Sequence, residues 1–223
     1  MVIERLTLVV PALNEAAGIE RCLGAAAPLR ARGHEVVVVD GGSTDGTPRL
    51  AAPLADRVIA APRGRAAQMN AGAAAARGDA LVFLHADTLL PEGADRAVLA
   101  ALTRRAWGRF DVRLDSPRAA LGVVSFFMNW RSRLTGIATG DQAIFVRRAD
   151  FPGFPDIALM EDVALSKTMK RVSPPACLRQ RVVSSARRWE RDGVARTVLL
   201  MWRLRLAYWR GADPGELAHR YPH

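Results

Sequence analysis

VVVVDGGSTDGT, residues 36–47, runs four β-branched apolar residues straight into a carboxylate, two glycines and a cluster of turn formers. An apolar run without alternation suits a strand covered on both faces, as in a parallel sheet, and the polar tail marks where that strand leaves the core. The same construction appears earlier in VVPALNE, residues 9–15, and later in ALVFLHADT, residues 80–88. Three strands therefore deliver polar groups to one edge.

Working outward, strands are expected at 6–10, 36–39, 57–60 and 80–84, with helices at 15–32, 48–55 and 66–77 between them. This β-α alternation implies right-handed crossovers and an α/β fold with a mostly parallel central sheet flanked by helices. Beyond residue 90 the rhythm changes. Pro91 precedes a helix over 92–103, and 107–114 reads as a strand, expected antiparallel at the far side of the sheet. A helix covers 119–134, a strand 143–146, and Pro152, Gly153 and Pro155 make 151–158 an irregular loop. Glu161 and Asp162 open a helix to about 171, where the bland reading of two first-turn carboxylates is favourable placement in the helix dipole. A long helix at 193–209 and a short one at 214–219 close the chain.

At 223 residues, half of them apolar, the chain fits one domain with a sizeable core. Two cysteines, Cys22 and Cys177, lie far apart without metal-ligand spacing, so reduced thiols are expected. No secretory signal pattern opens the sequence, and no apolar run reaches the ~20 residues of a membrane span. The expected location is cytoplasmic, with peripheral attachment at the inner face of the cell membrane also open. The formal charge of +10 favours phosphates, nucleotides, nucleic acid or anionic lipid without choosing among them. No nucleic-acid recognition motif accompanies it, so no specific nucleic-acid partner is expected.

Asp87, leaving its strand in HADT, is placed to hold a divalent metal against a phosphate. Asp40 can accept hydrogen bonds from a base N–H or ribose hydroxyls, and Gly41 and Gly42 admit a ligand close to the backbone. Ser43, Thr44 and Asp45 read equally well as turn and N-cap residues. Gly64 and Arg65 precede a helix of small residues, a geometry that brings a cation and N–H groups to a phosphate; alternatively, the small residues serve tight packing and Arg65 is solvated. GxGxxG spacing is absent, which argues against NAD or FAD.

In this order PALNE, VVDGGSTDGT, GRAAQMNAGA, FLHADT, TGDQAIFVRR and MEDVALSKTMKR resemble the family 2 glycosyltransferases of the GT-A fold, over residues 6 to about 171. The C-terminal segment 184–209 further resembles small stand-alone bacterial members described as radical-SAM and selenodomain associated. The resemblance implies a nucleotide-sugar-binding half over about 1–90, an acceptor-side half over about 91–190, and C-terminal helices over about 193–220. Pro11, Leu13, Glu15, Asp40, Gly41, Arg65, Asn70, His85, Ala86 and Asp87 would line the donor site, with Asp87 as metal ligand of a DxD element whose first Asp is here His85. Mn²⁺ or Mg²⁺ would then lean on donor diphosphate and water to complete its shell. Asp162 would be the general base, and Glu161 would orient it or bind the acceptor. Gly140, Asp141 and Gln142 would form an acceptor-side loop.

Arg188 and Trp189 match the RW of a QxxRW element whose Gln position holds Ser185, so one sugar rather than a polymer is expected. The implied reaction is inverting transfer from a nucleotide sugar, preferably UDP-linked, to a small-molecule or lipid-linked hydroxyl acceptor; oligomeric state stays open. Two rivals remain. A sugar nucleotidyltransferase would need a Gly-rich, Arg-containing loop where ALNE stands, and a non-catalytic nucleotide-sugar-binding protein would keep Asp40 and Asp87 without needing Asp162. On the last long helix Arg196, Arg203 and Arg210 recur every seven residues beside Trp202 and Trp209. This pattern suits either contact with an anionic membrane or a solvated arginine stripe with buried tryptophans. His219 reads as a surface residue.

Overall fold

The computed structural model describes residues 3–219. Strands β1 (Leu6–Ala12), β2 (Glu35–Asp40), β3 (Arg57–Ala60) and β4 (Ala80–Phe83) alternate with helices α1 (Ile19–Ala31), α2 (Thr47–Ala51) and α3 (Arg65–Ala75). All pairings among these four strands are parallel. Every residue of β2 is buried, and its side chains alternate between two cores: Val36 and Val38 face one, Val37 and Val39 the other. That two-sided burial is why an unbroken valine run forms a central strand here. α3 packs so closely on the sheet that a Cβ at Gly72 would stand 2.3 Å from Cγ1 of Val9. The small residues of this helix therefore do serve tight packing.

After β4 come β5 (Thr88–Leu89), α4 (Ala94–Leu102), β6 (Trp107–Asp115), α5 (Ala119–Thr135), β7 (Phe145–Arg147), α6 (Glu161–Val172), β8 (Ala176–Ser185), α7 (Arg187–Asp192), α8 (Val194–Trp209) and α9 (Pro214–His219). The sheet order is β3-β2-β1-β4-β7-β6-β8-β5, a mixed sheet of eight strands. The sequence-based expectations need three corrections. The strand at 107 pairs antiparallel with β7 but parallel with β8, so the strands that run against the first four are β7 and β5, not β6. The ten-residue β8 lies where no strand was expected, because its solvent-facing arginines and partly covered side chains give it no continuous apolar run. Lastly, α1 begins at Ile19 rather than 15, since Glu15–Gly18 forms a hydrogen-bonded turn.

Candidate active site along one sheet edge

β1, β2 and β4 end at the same edge because they are parallel and in register, with Ala12 opposite Asp40 and Val9 opposite Phe83. The two loops that follow β1 and β2 are tied together. Ser43 Oγ and Thr47 Oγ1 accept from the Asn14 and Glu15 amides at 2.9 and 2.8 Å, and Asn14 Oδ1 accepts from the Thr44 amide at 2.9 Å. The turn formers thus fulfil the structural reading, and in doing so they fix Glu15. Asp40 is buried and accepts from the Gly42 and Ser43 amides at 3.0 and 3.1 Å. Pro11 and Leu13 are half-buried on the same rim.

β8 supplies what the sequence did not announce. Its pairing with β5, together with a 3.2 Å bond from the Ser185 amide to the Asp87 carbonyl, brings the start of α7 over the cleft. There Arg187, rather than Arg188, reaches the acids: its Nη2 lies 3.2 Å from Glu15 Oε2 and 3.8 Å from Asp87 Oδ2. Burial, then the Asp87 charge, raises the Glu15 pKa against the opposing pull of Arg187 and His85. Arg188 pairs with Asp192 at 3.8 Å, and Trp189 packs beside Leu114 and Leu121. The arginine of this segment shown at Glu15 and Asp87 is thus Arg187. A cavity of about 340 Å³ opens beside Asp87, Arg187, Arg21 and Glu190.

A second cluster gathers where α6 begins. Met160, at φ 71°, turns the chain so that Glu161 is buried and Asp162 half-buried at the helix start. Asp162 accepts from the Gly140 amide at 2.8 Å and from the Val163 amide at 2.6 Å. Desolvation, then the neighbouring Asp162 charge, pushes the Glu161 carboxyl above its ordinary range; Arg65 Nη1, 3.7 Å from Glu161, opposes this. The His85 ring sits with Nδ1 3.4 Å from Asp141 Oδ1 and Nε2 so close to Gly140 that a Cβ there would stand 2.4 Å away. Burial raises the Asp141 carboxyl, but the His85 hydrogen bond and the charges of His85, Arg65 and Arg205 together hold it below the usual carboxylate value. Arg65, Met69, Phe83, His85, Gly140, Phe154 and the two acids enclose only about 10 Å³, room for roughly one water.

The two clusters meet at His85, whose charge enters the surroundings of both Glu15 and Glu161. Asp87 lines the larger cavity and Asp162 the small one, and both belong to one belt along the sheet edge. Three residues expected to bind donor or acceptor also carry structural duties. Both ends of the Asn70 amide bond the Phe154 backbone at 2.8 Å, fixing the loop over residues 151–158. Gln142 is fully buried and closes a capping box with Thr139. Ala86 is buried in the apolar core. Gly41 lies tight against Gln68, whose Nε2 donates to the Ala12 and Val39 carbonyls at 2.8 Å each.

Besides Arg187, sequence reasoning missed Arg131 and Arg205. Burial, then Arg205, lowers the Arg131 pKa to about 10, while Asp162 pulls the other way. Its Nε and Nη2 find no hydrogen-bond partner among the described residues. Only the helical phase of α5 and α8 against the acids could have marked these arginines. Of the cysteines, Cys22 is buried and held up to about 12 by desolvation and the Asp87 charge; Cys177 is half-buried, and both are free thiols. His219 is exposed, as expected.

Among the described residues no group of three or more His, Cys, Asp or Glu side chains is placed to hold a metal ion. The donor set at the HADT turn is one carboxylate, Asp87, with an imidazole already engaged by Asp141. Such a set fits a magnesium- or manganese-like ion that takes most of its oxygens from phosphate and water, and does not fit a preformed protein cage.

Comparison with known proteins places these features in a family. The family described as Glycosyl transferase family 2 matches residues 7–150. Comparison with curated proteins returned no match. Among solved structures, S. aureus TarS 1-349 in complex with UDP-GlcNAc superposes with a TM-score of 0.63 at 17% identity, covering 81% of this chain and 58% of that one. Glucosyl-3-phosphoglycerate synthase from Mycobacterium tuberculosis, in complex with Mn²⁺, UDP and glucosyl-3-phosphoglycerate, gives a TM-score of 0.60 at 21% identity over 81% of this chain and 71% of that one. At these identities the likeness is one of fold.

Proposed function

Because this chain belongs to glycosyl transferase family 2, we propose that it moves one sugar from a nucleotide-sugar donor, UDP-linked by preference, to a hydroxyl acceptor with inversion at the anomeric carbon. The observation that carries this reading is the belt of acids at a single sheet edge, with Asp87 beside the wide cavity and Asp162 held at the start of α6. Asp40 accepts from the base, Glu15 lies near the ribose, and Arg65 and Arg187 offer guanidinium groups to the diphosphate. The UDP and UDP-GlcNAc complexes of the similar structures support the choice of donor.

Asp162 takes the proton of the acceptor hydroxyl as that oxygen attacks the anomeric carbon from the face opposite the leaving diphosphate. Its second oxygen bonds the Val163 amide and the first bonds Gly140, so the carboxylate is oriented before the acceptor arrives. Glu161, buried and raised beside Asp162 and 3.7 Å from Arg65, is an acceptor contact. A divalent cation held by Asp87 and donor oxygens would supply charge stabilisation for the departing nucleoside diphosphate. Mn²⁺ and Mg²⁺ in complexes of the mycobacterial synthase support that choice. Before donor binds, Arg187 lies between Asp87 and Glu15 and offsets part of their charge.

A thermal-shift screen of UDP, GDP and dTDP with and without Mn²⁺ tests the donor half. Ligand at about 100 times its Kd adds about 2.7 kcal/mol to stability. UDP should raise the Tm in Mn²⁺, not in chelator, and Asp87→Ala should remove the cation-dependent part. Equal UDP shifts in chelator would overturn the metal role.

A further inference from the structure

Ten large hydrophobic side chains remain exposed among the described residues, and nine of them lie on α5 and α8. On α5 they include Phe126, Phe127 and Trp130; on α8, Trp202, Leu206 and Trp209. Spacings of 3, 4 and 7 put the α8 set on one helix face, and Trp130 lies 3 and 4 residues from the adjacent Phe127 and Phe126 on α5. Trp202 and Trp209 are 69% and 76% exposed. The reading in which the tryptophans are buried behind a solvated arginine stripe therefore fails.

α5 and α8 approach each other at two points along their lengths. Val194, opening α8, packs against the small cluster that includes Leu121 near the start of α5, and further along Arg205 is close enough for its charge to act on Arg131. The two helices are thus neighbours, and each carries an exposed apolar face. Neither helix contains a single Asp or Glu, whereas Arg196, Arg203 and Arg210 stand exposed beside the tryptophans. No described helix is long and apolar enough to cross a membrane.

We infer that the α5–α8 face docks on an anionic bilayer surface, with the aromatic rings in the interface and the arginines on lipid phosphates. Exposed Trp and Phe flanked by cations is the pattern of an interfacial helix, and here two helices present it together. Charge selects this occupant over a second copy of the chain: a two-fold contact would press one acid-free, arginine-bearing surface against another. The buried side of α8 connects the face to the cleft, since Leu204 packs with Met160 and Val163 on either side of the Glu161–Asp162 pair. Docking would place the Asp162 end of the cleft at the lipid surface, suiting an acceptor presented there.

Co-sedimentation with vesicles of phosphatidylcholine alone and of phosphatidylcholine containing phosphatidylglycerol tests the inference, with Trp emission recorded in parallel. The protein should pellet with the anionic vesicles and its emission should shift to the blue. Arg203→Glu with Arg210→Glu should weaken that binding at least about tenfold. Phe126→Ser with Trp202→Ser and Trp209→Ser should also weaken it, and the UDP thermal shift should stay unchanged in both variants. That shift checks folding and keeps failure here separate from failure of the donor reading. Absence of pelleting, pelleting that neither variant weakens, or a dimer in ultracentrifugation that the serine variant dissolves would overturn it.

Discussion

Buried acids stand at both edges of the parallel strands and are treated in opposite ways. At the edge where β1 and β2 begin, Glu35 accepts from Thr7 Oγ1 at 2.7 Å and from the Arg77 amide at 2.8 Å, and Asp95 accepts from Arg32 at 2.6 Å and lies 3.1 Å from His34. These partners outweigh the burial of Asp95 and hold its carboxyl below the usual value. Where the same strands end, Glu15 and Glu161 are both raised, by burial first and by another acid second. Glu35 and Asp95 are held satisfied at one edge, whereas Glu15 and Glu161 at the other each lie in the field of a second acid. Like charges held together cost stability, and such an arrangement is tolerated where a ligand or a reaction uses it.

The largest expected effect lies at the unsatisfied edge. Asp162→Asn keeps the shape and the hydrogen bond from Gly140 but loses the base, so transfer should fall by roughly 10²–10⁴ while UDP binding persists. Retained transfer in a radiolabelled-sugar assay would remove Asp162 from the base role. At the satisfied edge the loss should appear in folding alone. Glu35→Ala strands the Thr7 hydroxyl and the Arg77 amide, and should cost about 1–3 kcal/mol in urea denaturation with the m-value unchanged. A variant that instead lost UDP affinity at full stability would erase the distinction between the edges.

The contrast also explains what the sequence could and could not reveal. β1, β2 and β4 were legible because burial on both faces demands uninterrupted apolar runs, and the carboxylates that end them are placed by strand register. β8 was not, since its pairing with β6 and β5 is a long-range choice that leaves Arg179, Gln180 and Arg181 exposed. With β8 unseen, the position of α7 was unseen too, and nothing local separates Arg187 from Arg188. Asn70 and Gln142 show what the motifs hide: polar residues inside matching motifs can also hold loops. The exposed face of α5 was hidden for a simpler reason, because an apolar helix reads the same whether or not something covers it.

Asp95→Asn sharpens the comparison through pH. The folded-state pKa of Asp95 is depressed, so its stabilisation is fully present above the unfolded value of about 3.9 and is lost as pH falls through the lower folded value. The stability gap between wild type and variant should be about 1 kcal/mol near neutrality and close on acidification below about pH 4. A gap independent of pH would mean that Asp95 contributes packing rather than charge.

The smallest effect should have the reverse sign. Because the folded pKa of Glu161 is raised, the protonated form is favoured in the native state: its stabilisation is complete below the unfolded value of about 4.3 and is lost as pH rises through the folded value. At neutral pH the ionised pair Glu161–Asp162 is thus a liability that Glu161→Gln relieves, and the variant should gain about 0.5–1 kcal/mol. That gain should shrink to nothing as pH drops below about 4, opposite in sign to the Asp95 gap, while transfer activity declines. Thermal melts across pH 3–8 resolve both trends in one experiment. A Glu161→Gln variant no more stable than wild type at pH 7 would show that Arg65, only 3.7 Å away, already compensates the charge and that the two edges differ in position alone.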